Sequence, residues 1–197
     1  AASARNFKVT LHRLRKVLQP DLVRGERSAY VHLRDGRISL DPDHSRVDVQ
    51  RFLEAAKKTR NGGARLDGNA MCVLCQRARA LYTGDFLPEE RYAPWAVMKR
   101  LALRDTYRRL LETEARIFMQ AGDLAAAADL YAELLRMEPC HEAATQALML
   151  LYARLGRRGD ALLVFAAFAE ALHEELGARP DLQTQDLQKH IHAGHSI

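Results

Sequence analysis

The chain has 197 residues, with 30 Lys plus Arg against 25 Asp plus Glu, a formal net charge of +5. Apolar residues reach 48%, which supports a real core and excludes a disordered chain, while six prolines and 11 glycines exclude collagen-like or low-complexity sequence. Three cysteines are too few for a disulfide scaffold. The longest charge-free stretch of helical character, 143–153, falls well short of the ~20 residues that a membrane span needs. The opening AASARNFKVT has no apolar signal core. These features set the expectation of a cytoplasmic protein of one large or two small domains that does not engage a membrane.

The charge is concentrated at one end. Residues 1–46 hold ten Lys and Arg against five Asp and Glu, and the rest of the chain is balanced. A local basic segment points to a polyanion, most often nucleic acid. The first predicted element is a helix over 4–18, with Ser3 as its cap. Phe7, Leu11, Leu14 and Leu18 form one apolar stripe. Arg5, His12, Arg13 and Lys16 fall opposite it, Lys8 and Arg15 flank the stripe, and Val9 sits alone within the polar face. With Asn6, these are the candidate DNA-contacting residues of the helix, since cations neutralise phosphates and side chains meet base edges in the major groove. The bland alternative is a basic surface helix on a helical domain.

Residues 29–40, AYVHLRDGRISL, predict a β-hairpin on an Asp35-Gly36 turn, because both positions tolerate positive φ. That register sets Arg34 opposite Arg37, Leu33 opposite Ile38 and Val31 opposite Leu40, so two arginines flank the tip. A basic amphipathic helix followed by a basic-tipped hairpin matches the recognition helix and wing of a winged helix. Arg34 and Arg37 complete the candidate DNA-binding set. A plain surface hairpin is the alternative. A winged helix carries two or three helices ahead of its recognition helix, so the expectation is that this chain is a piece of a longer protein.

The remainder reads as helical. Predicted helices cover 47–58, with Val49, Phe52 and Leu53 as the apolar side, then 70–82 and 95–120. A flexible connection at 59–69 and an irregular link at 83–94 separate them. A 34-residue period then pairs Gly122 with Gly156, Ala127 with Ala161, Tyr131 with Phe165, Ile117 with Leu151 and Phe118 with Tyr152. Helix, glycine turn and alanine-containing helix at that spacing is the tetratricopeptide pattern. Pro139 stops the first unit and Pro180 the second. Coincidence in an alanine-rich chain is the competing account. Stacked helical pairs of this kind bind proteins and rarely catalyse.

Chemistry-bearing motifs are weak. Cys72 and Cys75 form one CxxC where a structural zinc site needs four ligands, and they read as ordinary thiols. His190, His192 and His195 read as a flexible tail. No phosphate-loop, dinucleotide or nucleophile-elbow motif occurs. The chain is therefore expected not to be an enzyme, with no catalytic residue, metal or cofactor.

Several segments together resemble one family. The segments ARNFKVTLHRLRKVL, AYVHLRDGRISL and VDVQRFLEAA are followed by ALYTGDFLPE and by Trp95-Ala96 ahead of Arg100. AGDLAAAADLYAELLRMEP, YARLGRRGDAL and EELGARPDLQT complete the series. In this order they are similar to the SARP-type antibiotic regulatory activators, in which a winged helix precedes a bacterial transcriptional activator domain. The resemblance implies a mainly α fold, a tetratricopeptide-like helical-repeat domain with a short N-terminal hairpin after a basic helix. It implies three parts: 1–46 as the end of a winged helix, 47–192 as the helical activator domain, and 193–197 as a tail. It implies a transcriptional activator with duplex DNA as one partner. Further partners would be RNA polymerase, another domain or a second copy of the chain. A protein-interaction module without DNA binding is the alternative.

Overall fold

A computed structural model describes residues 2–23, 25–62, 67–90 and 92–194. It contains α1 (Ala2–Leu18), β1 (Val31–Arg34), β2 (Arg37–Leu40), α2 (Asp48–Gly62), α3 (Gly68–Arg79), α4 (Pro94–Gln120), α5 (Leu124–Met137), α6 (Glu142–Arg154), α7 (Arg158–Leu176) and α8 (Leu182–Ala193). The chain divides into two compact units, Ala1–Arg51 and Phe52–Ile197. The fold class is the expected one, mainly α with one two-stranded hairpin among the described residues.

In the first unit α1 begins at Ala2, so Ser3 lies inside the helix rather than at its boundary. The hairpin forms in the expected register, Val31 with Leu40, Leu33 with Ile38 and Arg34 with Arg37. Its turn places Asp35 at φ 51° and Gly36 at φ 74°, the pair of positive angles that a two-residue connection of this twist requires. The buried centre is small: Leu11, Leu22, Val31 and Ser28. The Ser28 hydroxyl accepts from the amides of Tyr30 and Val31, both at 3.2 Å, and starts the first strand. The apolar stripe of α1 is largely uncovered. Only Leu11 is buried, while Phe7, Leu14 and Leu18 are exposed, as are Leu33, Ile38 and Leu40 on the hairpin. Two short strands offer too little surface to cover the stripe.

In the second unit neighbouring helices pack in succession from α3 to α7, and α8 rests on both α6 and α7. The 34-residue period is carried by the backbone itself. Gly122 (φ 81°) and Gly156 (φ 73°) both occupy the left-handed region that follows a helix end. Around them Asp123 N donates to Phe118 O at 2.9 Å, and Arg157 N to Tyr152 O at 2.8 Å. Ala121 N donates to Ile117 O and Leu155 N to Leu151 O, both at 3.0 Å. Ala127 on α5 and Ala161 on α7 have 0% exposure, and Ala161 packs with Met149 of α6 and Ile191 of α8.

Four boundaries differ from expectation. First, α2 continues to Gly62 because Thr59 is buried and its hydroxyl donates to Ala56 O at 2.8 Å; residues 63–66 of the expected connection lie outside the described residues. Second, α3 spans Gly68–Arg79 because the Asp67 carboxylate accepts from Ala70 N at 2.7 Å and fixes its start. Third, α7 ends at Leu176, where Gly177 turns left-handed, before Pro180 is reached. Fourth, His190 and His192 belong to α8 rather than to a tail; His195 lies outside the described residues. This last helix holds because Asp181 caps Thr184 N at 2.7 Å. Thr184, fully buried, donates to Glu142 Oε1 and accepts from Gln146 Nε2, each at 2.7 Å.

Candidate nucleic-acid interface

No acidic residue lies within α1, and its outer face is built of cations. Arg5, Asn6, Lys8, Val9, His12, Arg13 and Lys16 are all exposed. Val9 sits among these polar groups as an isolated apolar contact, suited in chemistry to a thymine methyl. Two of the expected contact residues are partly engaged within the protein. Arg15 is half-buried and its Nε donates to Val31 O at 3.3 Å, tying the helix to the first strand. Lys16 Nζ donates to Pro20 O at 3.0 Å, closing the chain after the helix.

At the hairpin tip Arg34 and Arg37 are exposed and directly cross-paired. Like charges opposed on a ladder repel, so this tip favours an anion beside it. Arg34 also lines a concavity of about 230 Å³ together with Arg15 and Arg27. Arg27 was not among the residues singled out from the sequence. It lies in the loop between helix and hairpin, where no periodicity marks it.

The base of the hairpin is closed by Asp41. Its Oδ2 lies 3.0 Å from His32 Nε2, and its Oδ1 lies 2.9 Å from His44 Nδ1. The same Oδ1 accepts from the amides of Asp43 at 2.9 Å and His44 at 3.1 Å. These bonds, with His44 first, hold the carboxyl down to about 2. Tyr30 meets the His44 ring edge-on at 6.1 Å. The Asp41 cluster thus closes the open end of the hairpin onto the loop that follows it.

In the second unit, sequence reasoning missed a charged knot inside the helical stack. Arg79 on α3 donates through Nη1 to Glu114 on α4 at 2.7 Å, and through Nη2 to Glu133 on α5 at 2.6 Å. The Tyr107 hydroxyl donates to Glu133, and the Cys72 thiol approaches Glu114 at 3.7 Å. The Tyr82 ring stacks on Tyr107 at 4.4 Å and touches Phe52 of α2 at 5.3 Å. Burial pushes the Cys72 thiol up, and Cys75 up to about 11. Both CxxC thiols therefore point into the core, away from the reactive thiolate state. Among the described residues, no three His, Cys, Asp or Glu side chains gather as metal ligands would. The irregular link before α4 is pinned by Arg100, which donates to Phe86 O at 3.1 Å and Leu87 O at 2.9 Å. Arg104 adds a two-bond grip on Asp85. No described helix is long and apolar enough to cross a membrane.

The model of one family, the bacterial transcriptional activator domain, matches residues 47–192. The chain belongs to this family. Its membership is of the SARP type, a class of transcriptional regulators rather than of enzymes. Regulatory protein AfsR of Streptomyces coelicolor is 32% identical over 181 residues, covering 91% of this chain and 17% of that protein. Regulatory protein AfsR of Streptomyces griseus is 30% identical over 179 residues, covering 91% of this chain and 18% of its own length. The chain therefore spans under a fifth of the curated relatives it matches. Among solved structures, Mycobacterium tuberculosis EmbR in complex with a low affinity phosphopeptide superposes with a TM-score of 0.72 at 18% identity. That likeness covers all of this chain and 52% of the other, and it shows the fold of the activator domain and its preceding hairpin.

Proposed function

We propose that this bacterial transcriptional activator domain chain carries a DNA-reading segment at 1–46 and a helical protein-contact segment at 47–192. In this reading 193–197 is a tail and the protein acts in the cytoplasm. The basic face of α1 enters the major groove of duplex DNA. There Arg5, Lys8, Arg13 and Lys16 meet phosphates, and Asn6, Val9 and His12 meet base edges. Arg34 and Arg37 at the hairpin tip rest on the backbone or in the minor groove, and Arg15 with Arg27 holds a phosphate against the base of the hairpin. The helical segment contacts RNA polymerase, another domain or a second copy of the chain. No step of this reading calls for catalysis or a cofactor.

The observation that carries the reading is an acid-free helix whose outer cations are all exposed, in the segment that holds the chain's whole charge excess. Arg5 and Arg13 make no internal bond among the described residues, so replacing both with Ala leaves the fold intact. Each lost phosphate contact flattens the log–log salt dependence of DNA affinity by about 0.9, so the double variant loses about 1.8. An unchanged slope refutes the assignment. A second reading, a protein-interaction module without DNA binding, is favoured by the exposed apolar stripe Phe7, Leu14 and Leu18. It requires that the chain show no salt-dependent affinity for duplex DNA.

A further inference from the structure

The C-terminal half of α2 and the second half of α4 stand apart around a groove of about 510 Å³. Its floor is formed by Ala56, Thr59 and Leu110, all buried. The hydroxyls of Thr59 and Thr113 are turned back onto their own helices, donating to Ala56 O at 2.8 Å and Arg109 O at 2.7 Å, so the walls present methyl groups. The rim carries Lys57, Arg60, Arg109 and Arg116, all exposed.

The acids in the lining pair with only one of these rim cations, Arg109. Asp105 and Glu112 are both held by Arg108, which lies outside the groove. Asp105 also pairs with Arg109 at 3.0 Å, and Glu112 lies 3.7 Å from His141. Lys57, Arg60 and Arg116 have no carboxylate partner among the described residues. The groove is thus a trough with an apolar floor and three unneutralised cations, Lys57, Arg60 and Arg116, on its rim.

We infer that this groove binds an acidic, amphipathic peptide segment of a protein partner. The inference rests on reading the helical segment as a protein-contact module, and it does not depend on DNA binding by α1. The rim cations are spread out: Arg109 and Arg116 are separated by about 10 Å along α4 at 1.5 Å per residue. One small anion cannot bridge that span. An extended peptide rises about 3.3 Å per residue, so same-face carboxylates two and four residues apart, about 7 and 13 Å, bracket that span. Alternate side chains then face the floor, where Ala56 and Leu110 accept an apolar group. A nucleic-acid backbone uses only the rim and leaves the floor wet.

The test uses the whole 197-residue chain. Three fluorescein-labelled peptides of about eight residues alternate leucine with glutamate, glutamine or lysine, and anisotropy reads their binding. The glutamate peptide binds at least about tenfold tighter than the glutamine peptide, and weakens as salt rises. Arg60→Gln with Arg116→Gln weakens it by about tenfold or more without changing the thermal melt, and Arg60→Lys with Arg116→Lys restores most of the affinity. Amide shifts on adding the peptide fall at 53–60 and 105–116. Arg5→Ala with Arg13→Ala leaves peptide affinity unchanged, which separates this result from the DNA reading. Equal affinity for the glutamate and glutamine peptides overturns the inference, as does binding that ignores the Arg60 and Arg116 changes. Displacement of the peptide by duplex DNA, with DNA affinity lost in the same variant, makes the groove a nucleic-acid surface and overturns it too.

Discussion

Glu114 is the place where the helical unit is most exposed to a single substitution. The residue is 1% exposed, and its carboxylate takes a 2.7 Å bond from Arg79 and a longer one from the Cys72 thiol. Glu114→Ala removes that acceptor, opens a cavity between α3 and α4, and leaves the guanidinium with Glu133 alone. Breaking a buried pair by deleting one partner costs about 3–5 kcal/mol; the remaining Glu133 bond and the partial exposure of Arg79 place this case near 3. With a urea dependence of about 2 kcal/mol per molar, the midpoint of the helical transition falls by roughly 1.5 M. Glu114→Gln keeps the volume and one acceptor and loses only the charge, so it costs about 1–2 kcal/mol. Arg79→Met with Glu114→Leu removes both ions together and is less destabilising than Glu114→Ala, because Glu133, the carboxylate that loses its cation, is only half-buried and keeps the Tyr107 hydroxyl. Circular dichroism at increasing urea measures all three. A midpoint for Glu114→Ala matching that of the surface control Arg116→Ala refutes the reasoning, as does strict additivity of the paired change.

Two further outcomes follow from the repeat and from the hairpin. Ala127→Leu and Ala161→Leu each force extra volume between closely packed helices and cost about 1–3 kcal/mol, whereas the exposed Ala125→Leu changes stability by under about 0.5 kcal/mol; equal urea midpoints for all three contradict the packing frame. Asp41 has a folded pKa of about 2 against its ordinary 3.8, so its contribution to hairpin closure is complete above the ordinary value and is lost as pH falls through 2. Proton shifts of Tyr30 and His44 followed from pH 5 downward report that opening, and Asp41→Asn removes the transition.

The hairpin and the repeat were legible because each rests on a local rule with little competition. Asp35-Gly36 dictates a turn, the turn dictates the register, and the apolar alternation of Val31, Leu33, Ile38 and Leu40 agrees with it. The 34-residue offset survives from sequence into hydrogen bonds because a left-handed glycine and the helix end before it form one geometric unit. The misread boundaries lie where tertiary contacts overrule such rules. Thr59 heads a run rich in turn formers, yet burial against the stack and its bond to Ala56 O keep α2 helical to Gly62. At the other end, Asp181 and Thr184 carry a readable capping signal, but three histidines in six residues suggest a tail.

The candidate sites divide along the same line. A DNA-facing helix advertises itself because its cations recur with the helical period on one side, and an acid-free run is visible without coordinates. The Arg79–Glu114–Glu133 knot joins residues 35 and 54 positions apart, each of which reads alone as an ordinary surface charge. Only the stacking of α3, α4 and α5 removes them from water and turns them into a structural device. The groove obeys the same logic in reverse. Lys57, Arg60 and Arg116 look like the solvated faces of two unrelated helices until α2 and α4 are set side by side. Then three unpaired cations surround an apolar floor, and the surface acquires a preference that neither helix has alone. Function at the basic helix is a property of a periodic sequence, whereas function at the groove is a property of the packing.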